Sequence, residues 1–221
     1  MGSEMCIRDR IITLDTVDST NAYAFRLAEK GEPEIIAVRA LHQSQGRGRR
    51  DNVWISPKNV GIYASFLLQP TNALSEIVWL PLFFSYTVVH SLEPLVKATI
   101  KWPNDILINN KKVGGVLIEA KSTGQRTDFV IAGIGLNVNS RPDQLPTDAT
   151  SLYMETKKTY EIDEMFEKIL ATIISIYNEF KKGNIEVLQT KALSTVKQKQ
   201  AVNKLAKKYS KKNMEDLIIL R

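Results

Sequence analysis

TDFVIAGIGLNV, residues 127–138, is the stretch of the chain that decides the fold. Its nearly unbroken apolar character predicts a strand buried at the centre of a sheet. Gly133 and Gly135 lie two positions apart, so they face the same side of the strand, where another part of the protein can pack closely. Asn137 follows at the strand end, a position that suits either a nucleotide or metal site or an ordinary turn.

Shorter β-like and helical segments surround this strand. Further strands are predicted at residues 11–14, 35–40, 61–68, 99–102, 106–108 and 113–119. Helices are predicted after residues 18–21, over about 75–90 and over 162–180. Because tight turns join several strands, a mixed or antiparallel sheet is favoured over a doubly wound parallel one. The predicted fold class is α+β, with the sheet backed by helices on one face.

Three regions follow from the distribution of charge and periodicity. Residues 1–10 lack periodicity and are expected to form a disordered leader, whereas residues 11–183 form the main domain. Residues 184–221 form a lysine-rich C-terminal segment. Between positions 181 and 212 there are ten lysines, and Glu186 is the only acidic residue. The net charge of +6 therefore belongs to this segment. Such a run is typical of a solvated face, with a nucleic-acid-binding module as the alternative.

Composition excludes several classes of protein. Cys6 is the single cysteine, so the chain has no internal disulfide, and two histidines cannot complete a transition-metal cluster with it. The apolar run at residues 77–89 is too short to cross a bilayer, and the first ten residues contain no apolar run typical of a signal peptide. The expected location is the cytoplasm.

The motif GRGRR, residues 46–50, is a candidate anion site. Three arginines within four positions repel one another unless an anion meets them, and guanidinium groups bind phosphate and carboxylate through paired hydrogen bonds. The motif is neither a P-loop nor a dinucleotide-binding fingerprint, because the spacing of the glycines differs. Composition alone supports an exposed basic loop equally well.

Two further segments carry candidate residues. KWPND, residues 101–105, places a proline between two short strands, and Asp105 suits either a nucleotide-bound Mg²⁺ or a turn. Lys112 precedes two glycines, so its charge can neutralise an acyl-phosphate beside the strand, although an ordinary turn lysine explains the spacing as well.

Together these segments resemble the biotin–protein ligase family. The resemblance rests on residues 18–21, 43–50 with Trp54, 101–105, 112–119 and 133–139, in the family's order and spacing. It implies a fold related to class II aminoacyl-tRNA synthetases and lipoate ligases. It also implies that Mg²⁺·ATP activates biotin to biotinyl-5′-AMP, and that the biotinyl group then passes to a lysine of a biotin carboxyl carrier protein.

The resemblance assigns roles to individual residues. Those implied to act in catalysis are Lys112, Arg49 and Arg47. Those implied to bind biotin are Ser19, Thr20, Asn21, Gln43, Arg47, Gly48, Arg49, Lys112 and Gly115. Those implied to bind ATP or the adenylate are Arg49, Arg50, Trp54, Lys101, Asn104 and Asn137. Asp105 is the implied metal ligand.

The chain also departs from the family pattern. Asp51 stands where a glycine is usual, and Asn52 stands where a basic residue is usual. No helix-turn-helix precedes the first strand, so DNA binding is not expected, and the usual β-rich C-terminal domain is missing or remodelled. A monomer or a homodimer is expected. A lipoate or octanoate ligase of the same fold is the alternative enzyme, against which the GRGRR motif argues.

Overall fold

The computed structural model describes residues 10–34, 36–50, 52–123, 126–197 and 218–220. The predicted leader and Asp51 therefore lie outside the described residues, apart from Arg10. The strands are β1 (Ile11–Val17), β2 (Ile36–Gln43), β3 (Gly61–Leu68), β4 (Thr99–Lys101), β5 (Asp105–Ile108), β6 (Lys111–Thr123), β7 (Arg126–Asn137) and β8 (Ile219–Leu220). The helices are α1 (Thr20–Glu29), α2 (Leu74–Ile77), α3 (Leu80–Leu92), α4 (Leu152–Thr156), α5 (Ile162–Lys181) and α6 (Ile185–Ser194), with a 3₁₀ turn at Pro142–Gln144.

The strands form one mixed sheet in the order β1-β2-β3-β7-β6-β5-β4. β1 runs parallel to β2, and the remaining neighbours in this order are antiparallel. β8 pairs with β6 in parallel at Glu119 and Ala120. The apolar strand β7 lies between β3 and β6, so the prediction that it is central is confirmed.

Alternation along the strands gives the sheet two different faces. One face carries the larger core, in which Phe66, Ile118 and Ile134 belong to the same buried cluster as residues of α3 and α5. The prediction of helices backing the sheet is confirmed on this face. On the other face α1 packs over a smaller cluster that includes Val38 and Ile131. Because α1 covers only part of that face, the rest is available for a site.

The two main helices follow their sequence signals. Pro81 lies in the first turn of α3, where its missing N–H costs no intrahelical hydrogen bond. α5 buries one stripe of apolar side chains, among them Phe166, Ile169 and Phe180. Of the helices that the structure describes, none is long and apolar enough to span a membrane.

The described part of the lysine-rich C-terminal segment packs onto the helical layer. α6 contacts α3 and α5, and its side chains Leu188 and Ala192 are buried. The isolated bridge between Ile100 and Val196 ties the end of this segment to β4. These residues are therefore part of the helical layer, whereas most of the lysine run lies outside the described residues.

Candidate active site

A cavity of about 410 Å³ opens on the sheet face that α1 leaves uncovered. Its walls come from the start of α1, the loop after β2, the turn before β5, and strands β6 and β7. Its floor includes Gly133 and Gly135 of β7, which carry no side chains, so that Asn21 and Trp54 pack directly against the strand. The described lining includes Ser19, Thr20, Asn21, Gln43, Arg47, Gly48, Arg49, Arg50, Trp54, Asn104, Asp105, Lys112 and Gly115.

The structure thus brings together most of the side chains singled out in the sequence, but not all. Lys101 is exposed at the end of β4 and does not line the cavity. Asn137 is buried, and its Nδ2 donates to the carbonyl of Thr150 at 3.0 Å, so it supports the loop after β7 instead of facing the cavity.

The glycine-arginine loop forms a short hairpin over the cavity. Trp54 N donates to Gly46 O at 2.9 Å, and Arg47 forms an antiparallel bridge with Val53. A Cβ at Gly46 would lie 2.3 Å from the carbonyl oxygen of Trp54, so only glycine permits this close approach. The hairpin directs its arginines towards two separate polar networks.

The first network joins α1 to the sheet. Thr20 donates to Gln43 Oε1 from both its backbone N (2.8 Å) and its hydroxyl (3.0 Å), and Gln43 Nε2 donates to Ser56 Oγ at 2.9 Å. The hydroxyl of Ser65 lies 2.7 Å from Thr20 Oγ1 and 2.6 Å from Asn21 Oδ1. These groups are buried and hydrogen-bonded, so their positions are fixed before a ligand arrives.

The second network lies at the start of β6. Asn104 Nδ2 donates to the carbonyl of Val116 at 2.7 Å, and its Oδ1 accepts from Arg49 Nη1 at 2.9 Å. Lys112 Nζ lies 2.6 Å from Asp105 Oδ1 and 5.5 Å from the centroid of the Trp54 ring. This end of the cavity therefore concentrates cationic donors, with Asp105 as their carboxylate partner.

The two networks are separated along β6. Arg47 Nη2 pairs with Glu119 Oε2 at 3.2 Å, whereas Lys112 packs against Gly115, four residues earlier on the same strand. Four residues of extended strand span about 13 Å. The cavity is therefore elongated, with a hydrogen-bonding end beside Thr20 and Gln43 and a cationic end beside Arg49 and Lys112.

Three N–H groups in the cavity wall are buried and have no hydrogen-bond partner among the described residues. They are Nε of Arg47 and the indole N–H groups of Trp54 and Trp102. Because buried donors are nearly always paired in folded proteins, these three groups can donate to a ligand or to water in the cavity.

Asp105 is the metal ligand predicted from the sequence. Within the described ranges no group of three or more His, Cys, Asp or Glu side chains is arranged to hold a metal ion. Asp105, the predicted ligand, is instead paired with the ammonium of Lys112. A cation at Asp105 would therefore have to displace Lys112.

Ser56, Ser65 and Glu119 were not singled out in the sequence. Each contacts a predicted site residue: Ser56 does so from the loop after β2, whereas Ser65 and Glu119 do so through the pairing of β3, β7 and β6. The available signal was chemical: Ser65 is a small polar residue in a mostly apolar strand, and Glu119 is a carboxylate among Leu117, Ile118 and Ala120. Polar side chains at such buried positions need specific partners.

Comparison with known proteins places this domain in a class. Residues 13–137 match the biotin/lipoate A/B protein ligase family, and the chain belongs to that family.

The bifunctional ligase/repressor BirA of Bacillus spizizenii is 36% identical over 176 residues, which cover 77% of this chain and 54% of that protein. The biotin–[acetyl-CoA-carboxylase] ligase of Mycobacterium tuberculosis is 32% identical over 166 residues, covering 67% of this chain and 60% of that protein. The chain thus spans a little over half the length of these curated relatives.

Solved structures agree with the fold. The biotin protein ligase of Aquifex aeolicus in complex with biotin and ATP has a TM-score of 0.72 and 35% identity, covering 85% of this chain and 78% of that one. The biotin protein ligase of Leishmania major in complex with biotinyl-5-AMP has a TM-score of 0.70 and 27% identity, covering 86% of this chain and 82% of that one.

Proposed function

We propose that this protein is a biotin–protein ligase, which activates biotin with ATP and transfers it to a lysine of a biotin carboxyl carrier protein. The observation that carries the proposal is the elongated cavity, with the hydrogen-bonding groups of Thr20 and Gln43 and the neutralised Arg47–Glu119 pair at one end, and the cationic groups of Arg49 and Lys112 at the other. Biotin has this polarity, with a neutral ureido ring and a carboxylate on a chain of four carbons. The ligands named for the Aquifex and Leishmania structures support the same assignment.

In the first half-reaction, a carboxylate oxygen of biotin attacks the α-phosphorus of ATP. The bond from that phosphorus to the bridging oxygen breaks, and pyrophosphate leaves. Thr20 and Gln43 hold the ureido ring, so that the carboxylate lies towards Lys112 and Arg49. These two cations stabilise the negative charge that gathers on the phosphoryl oxygens. The nucleotide brings Mg²⁺ as part of the substrate, and the proposed contact of that ion with Asp105 requires Lys112 to move away.

In the second half-reaction, the neutral amine of the carrier lysine attacks the acyl carbon of biotinyl-5′-AMP. The acyl–oxygen bond breaks, AMP leaves, and the amine loses a proton as the amide forms. The protein supplies position and charge and needs no nucleophile of its own. Arg49, held by Asn104, closes over the adenylate and keeps it from water, while Trp54 packs against it.

One assay separates this proposal from its alternative. The full chain is incubated with Mg²⁺·ATP and labelled pyrophosphate, with biotin in one series and lipoate in another. We expect pyrophosphate exchange that depends on biotin, followed by labelling of a purified carrier domain when labelled biotin is used. Exchange that depends only on lipoate would assign the site to the lipoate branch of the family, and exchange with neither acid would refute activation of both.

A further inference from the structure

Glu119 is a carboxylate enclosed beneath the cavity floor. It lies on β6, opposite Ile131 of β7, on the face that also carries Leu117 and Gly115. Its side chain has an exposed fraction of 0%. Burying a carboxylate away from water is expensive unless cations and hydrogen-bond donors surround it. The burial of Glu119 therefore requires partners that stabilise its negative charge.

Asn21 and Arg47 are hydrogen-bond partners of the Glu119 carboxylate. Its Oε2 accepts from Asn21 Nδ2 at 2.7 Å and from Arg47 Nη2 at 3.2 Å. Asn21 belongs to the first turn of α1 and Arg47 to the hairpin over the cavity. One buried carboxylate oxygen therefore links α1 to the hairpin over the cavity.

Both the oxygen and the nitrogen of the Asn21 side-chain amide form hydrogen bonds within the protein. Its Oδ1 accepts from Ser65 at 2.6 Å while its Nδ2 donates to Glu119. The amide also fills the space above Gly133, where a Cβ would lie 2.0 Å from Asn21 Oδ1. Its amide thus serves to fix α1 against the sheet. Arg47 differs, because its Nε is buried without a hydrogen-bond partner in the described part of the chain.

We infer that Glu119 is a positioning residue that orients Arg47 and Asn21 at the hydrogen-bonding end of the cavity and thereby sets the affinity for the acyl substrate. This inference rests on the proposed function. By pairing with Nη2, Glu119 fixes the guanidinium plane, and the remaining donors of Arg47 are presented to the cavity. It also offsets the charge of Arg47, so this end accepts an uncharged polar ring in preference to a carboxylate.

Glu119 should affect the binding of the acyl substrate and of ATP differently. Asn104 and Lys112 lie beside Val116 and Gly115 on β6, at the cationic end of the cavity. The hydrogen bonds from Asn21 and Arg47 to Glu119 belong to the other end. Neutralising Glu119 therefore weakens binding of the acyl substrate and leaves that of ATP nearly unchanged. A general loss of packing would weaken both.

The experiment compares Glu119→Gln with wild type and with Glu34→Gln as a matched control. Glu34 accepts from Tyr177 and Lys181 in a partly buried network away from the cavity. Biotin binding is measured by calorimetry without nucleotide, KM for biotin and for ATP by pyrophosphate exchange, and folding by thermal unfolding. For Glu119→Gln we expect biotin binding about tenfold weaker, as for the loss of one charge-assisted hydrogen bond. KM for ATP should change by less than about twofold, within the ordinary scatter of surface changes.

A double-mutant cycle tests whether the effect passes through Arg47. Arg47→Met alone should weaken biotin binding, and its cost should largely disappear when Glu119→Gln is already present. If Glu119→Gln does not fold, the doubly neutral variant is compared with Arg47→Met instead, and equal biotin affinity is expected. Equal losses for biotin and ATP, or additive effects in the cycle, would overturn the inference. Absence of biotin binding by wild-type protein would instead refute the proposed function.

Discussion

The indole of Trp54 occupies the space that a side chain at Gly135 would need. A Cβ built on Gly135 would lie 2.4 Å from Cε2 and 2.6 Å from Nε1 of the Trp54 ring. The central strand and the hairpin over the cavity are therefore in direct contact. Because Gly135 has no side chain, the Trp54 ring can pack directly against β7.

Replacing Gly135 with alanine should displace Trp54 and disrupt the site. Overpacking of a close contact typically costs about 1–3 kcal/mol, and the displaced ring also disturbs Lys112, which lies over its face. We expect a lower free energy of unfolding in urea and loss of most pyrophosphate exchange. Adding Trp54→Ala to Gly135→Ala should recover stability but not activity. Unchanged exchange in Gly135→Ala would contradict the proposed packing of Trp54 against the adenylate.

Lys112 should be required in both half-reactions. Its Nζ pairs with Asp105 and its side chain packs beside Gly115, so it is held at the cationic end of the cavity. Removal of a donor that stabilises transition-state charge typically costs about 10²–10³-fold in rate. Lys112→Met should show a loss of this size in pyrophosphate exchange, and in single-turnover transfer from purified biotinyl-5′-AMP. The exposed neighbour Lys111 offers the matched control Lys111→Met, which should keep wild-type rates. Equal effects at the two positions would remove Lys112 from the mechanism.

The sequence predicted the centre of the fold because local signals and tertiary environment agree there. β7 is apolar from Phe129 to Leu136, which favours a central position in the sheet, and Pro81 marks the first turn of α3. Most of the predicted lining residues also lie together, because the loops that carry them all follow or precede strands of one sheet.

Other contacts depend on register, which single residues do not reveal. β5 and β6 pair with a register shift between Ile106 and Leu107, so Leu107 lies opposite Lys112 while Asp105 lies opposite Gly115. The ion pair of Asp105 with Lys112 arises from that shift, and the prediction of a metal ligand at Asp105 stays untested. Ser65 likewise meets Asn21 only because β3 pairs with β7 at Gly133.

Arg49 should retain the reactive intermediate. Its Nη1 donates to Asn104 Oδ1, and Asn104 is itself bound to the backbone of β6, so the guanidinium is held over the cationic end of the cavity. Without it, biotinyl-5′-AMP should escape and label bystander lysines. We expect Arg49→Gly to biotinylate added serum albumin at least about tenfold more than wild type, equivalent to a loss of about 1.4 kcal/mol in retention.

Two further variants sharpen the test of Arg49. Asn104→Ala should produce the same leakage in weaker form, because it removes the group that holds the guanidinium. Arg126→Gly, an exposed arginine at the start of β7, should leave bystander labelling at the wild-type level. If all three variants label albumin as little as wild type does, Arg49 does not retain the intermediate.

Ser65 should stabilise the hydrogen-bonding end of the cavity. Its hydroxyl is fully buried between Thr20 and Asn21, so Ser65→Ala removes a hydrogen bond and leaves a buried polar atom with fewer partners. Such a loss typically costs about 1–3 kcal/mol. We expect a fall of this size in the urea unfolding free energy, with weaker biotin binding because Thr20 is less well fixed. Ser194→Ala, at the exposed end of α6, is the control and should change neither quantity. A Ser65→Ala variant as stable as wild type would show that the network is not a structural unit.

The start of α1 should make stability depend on pH in acid. Hydrogen bonds from Arg26 hold the pKa of Asp18 below its ordinary value, and the backbone N–H of Ser19 acts in the same direction. The folded state therefore favours the ionised carboxylate, and the unfolded state binds the proton more readily. The contribution of Asp18 is complete above the unfolded pKa of about 3.9 and is lost as pH falls through the lower folded pKa. Because the pair with Arg26 is exposed to solvent, the contribution is small, about 0.2–1 kcal/mol.

The free energies of unfolding of wild type and Asp18→Asn in urea should accordingly differ by a constant amount from pH 5 to 8, a range in which carboxylates are ionised. Below about pH 4 the difference should shrink. A difference that persists unchanged into strong acid would mean that the Asp18 carboxylate does not stabilise the fold through its charge.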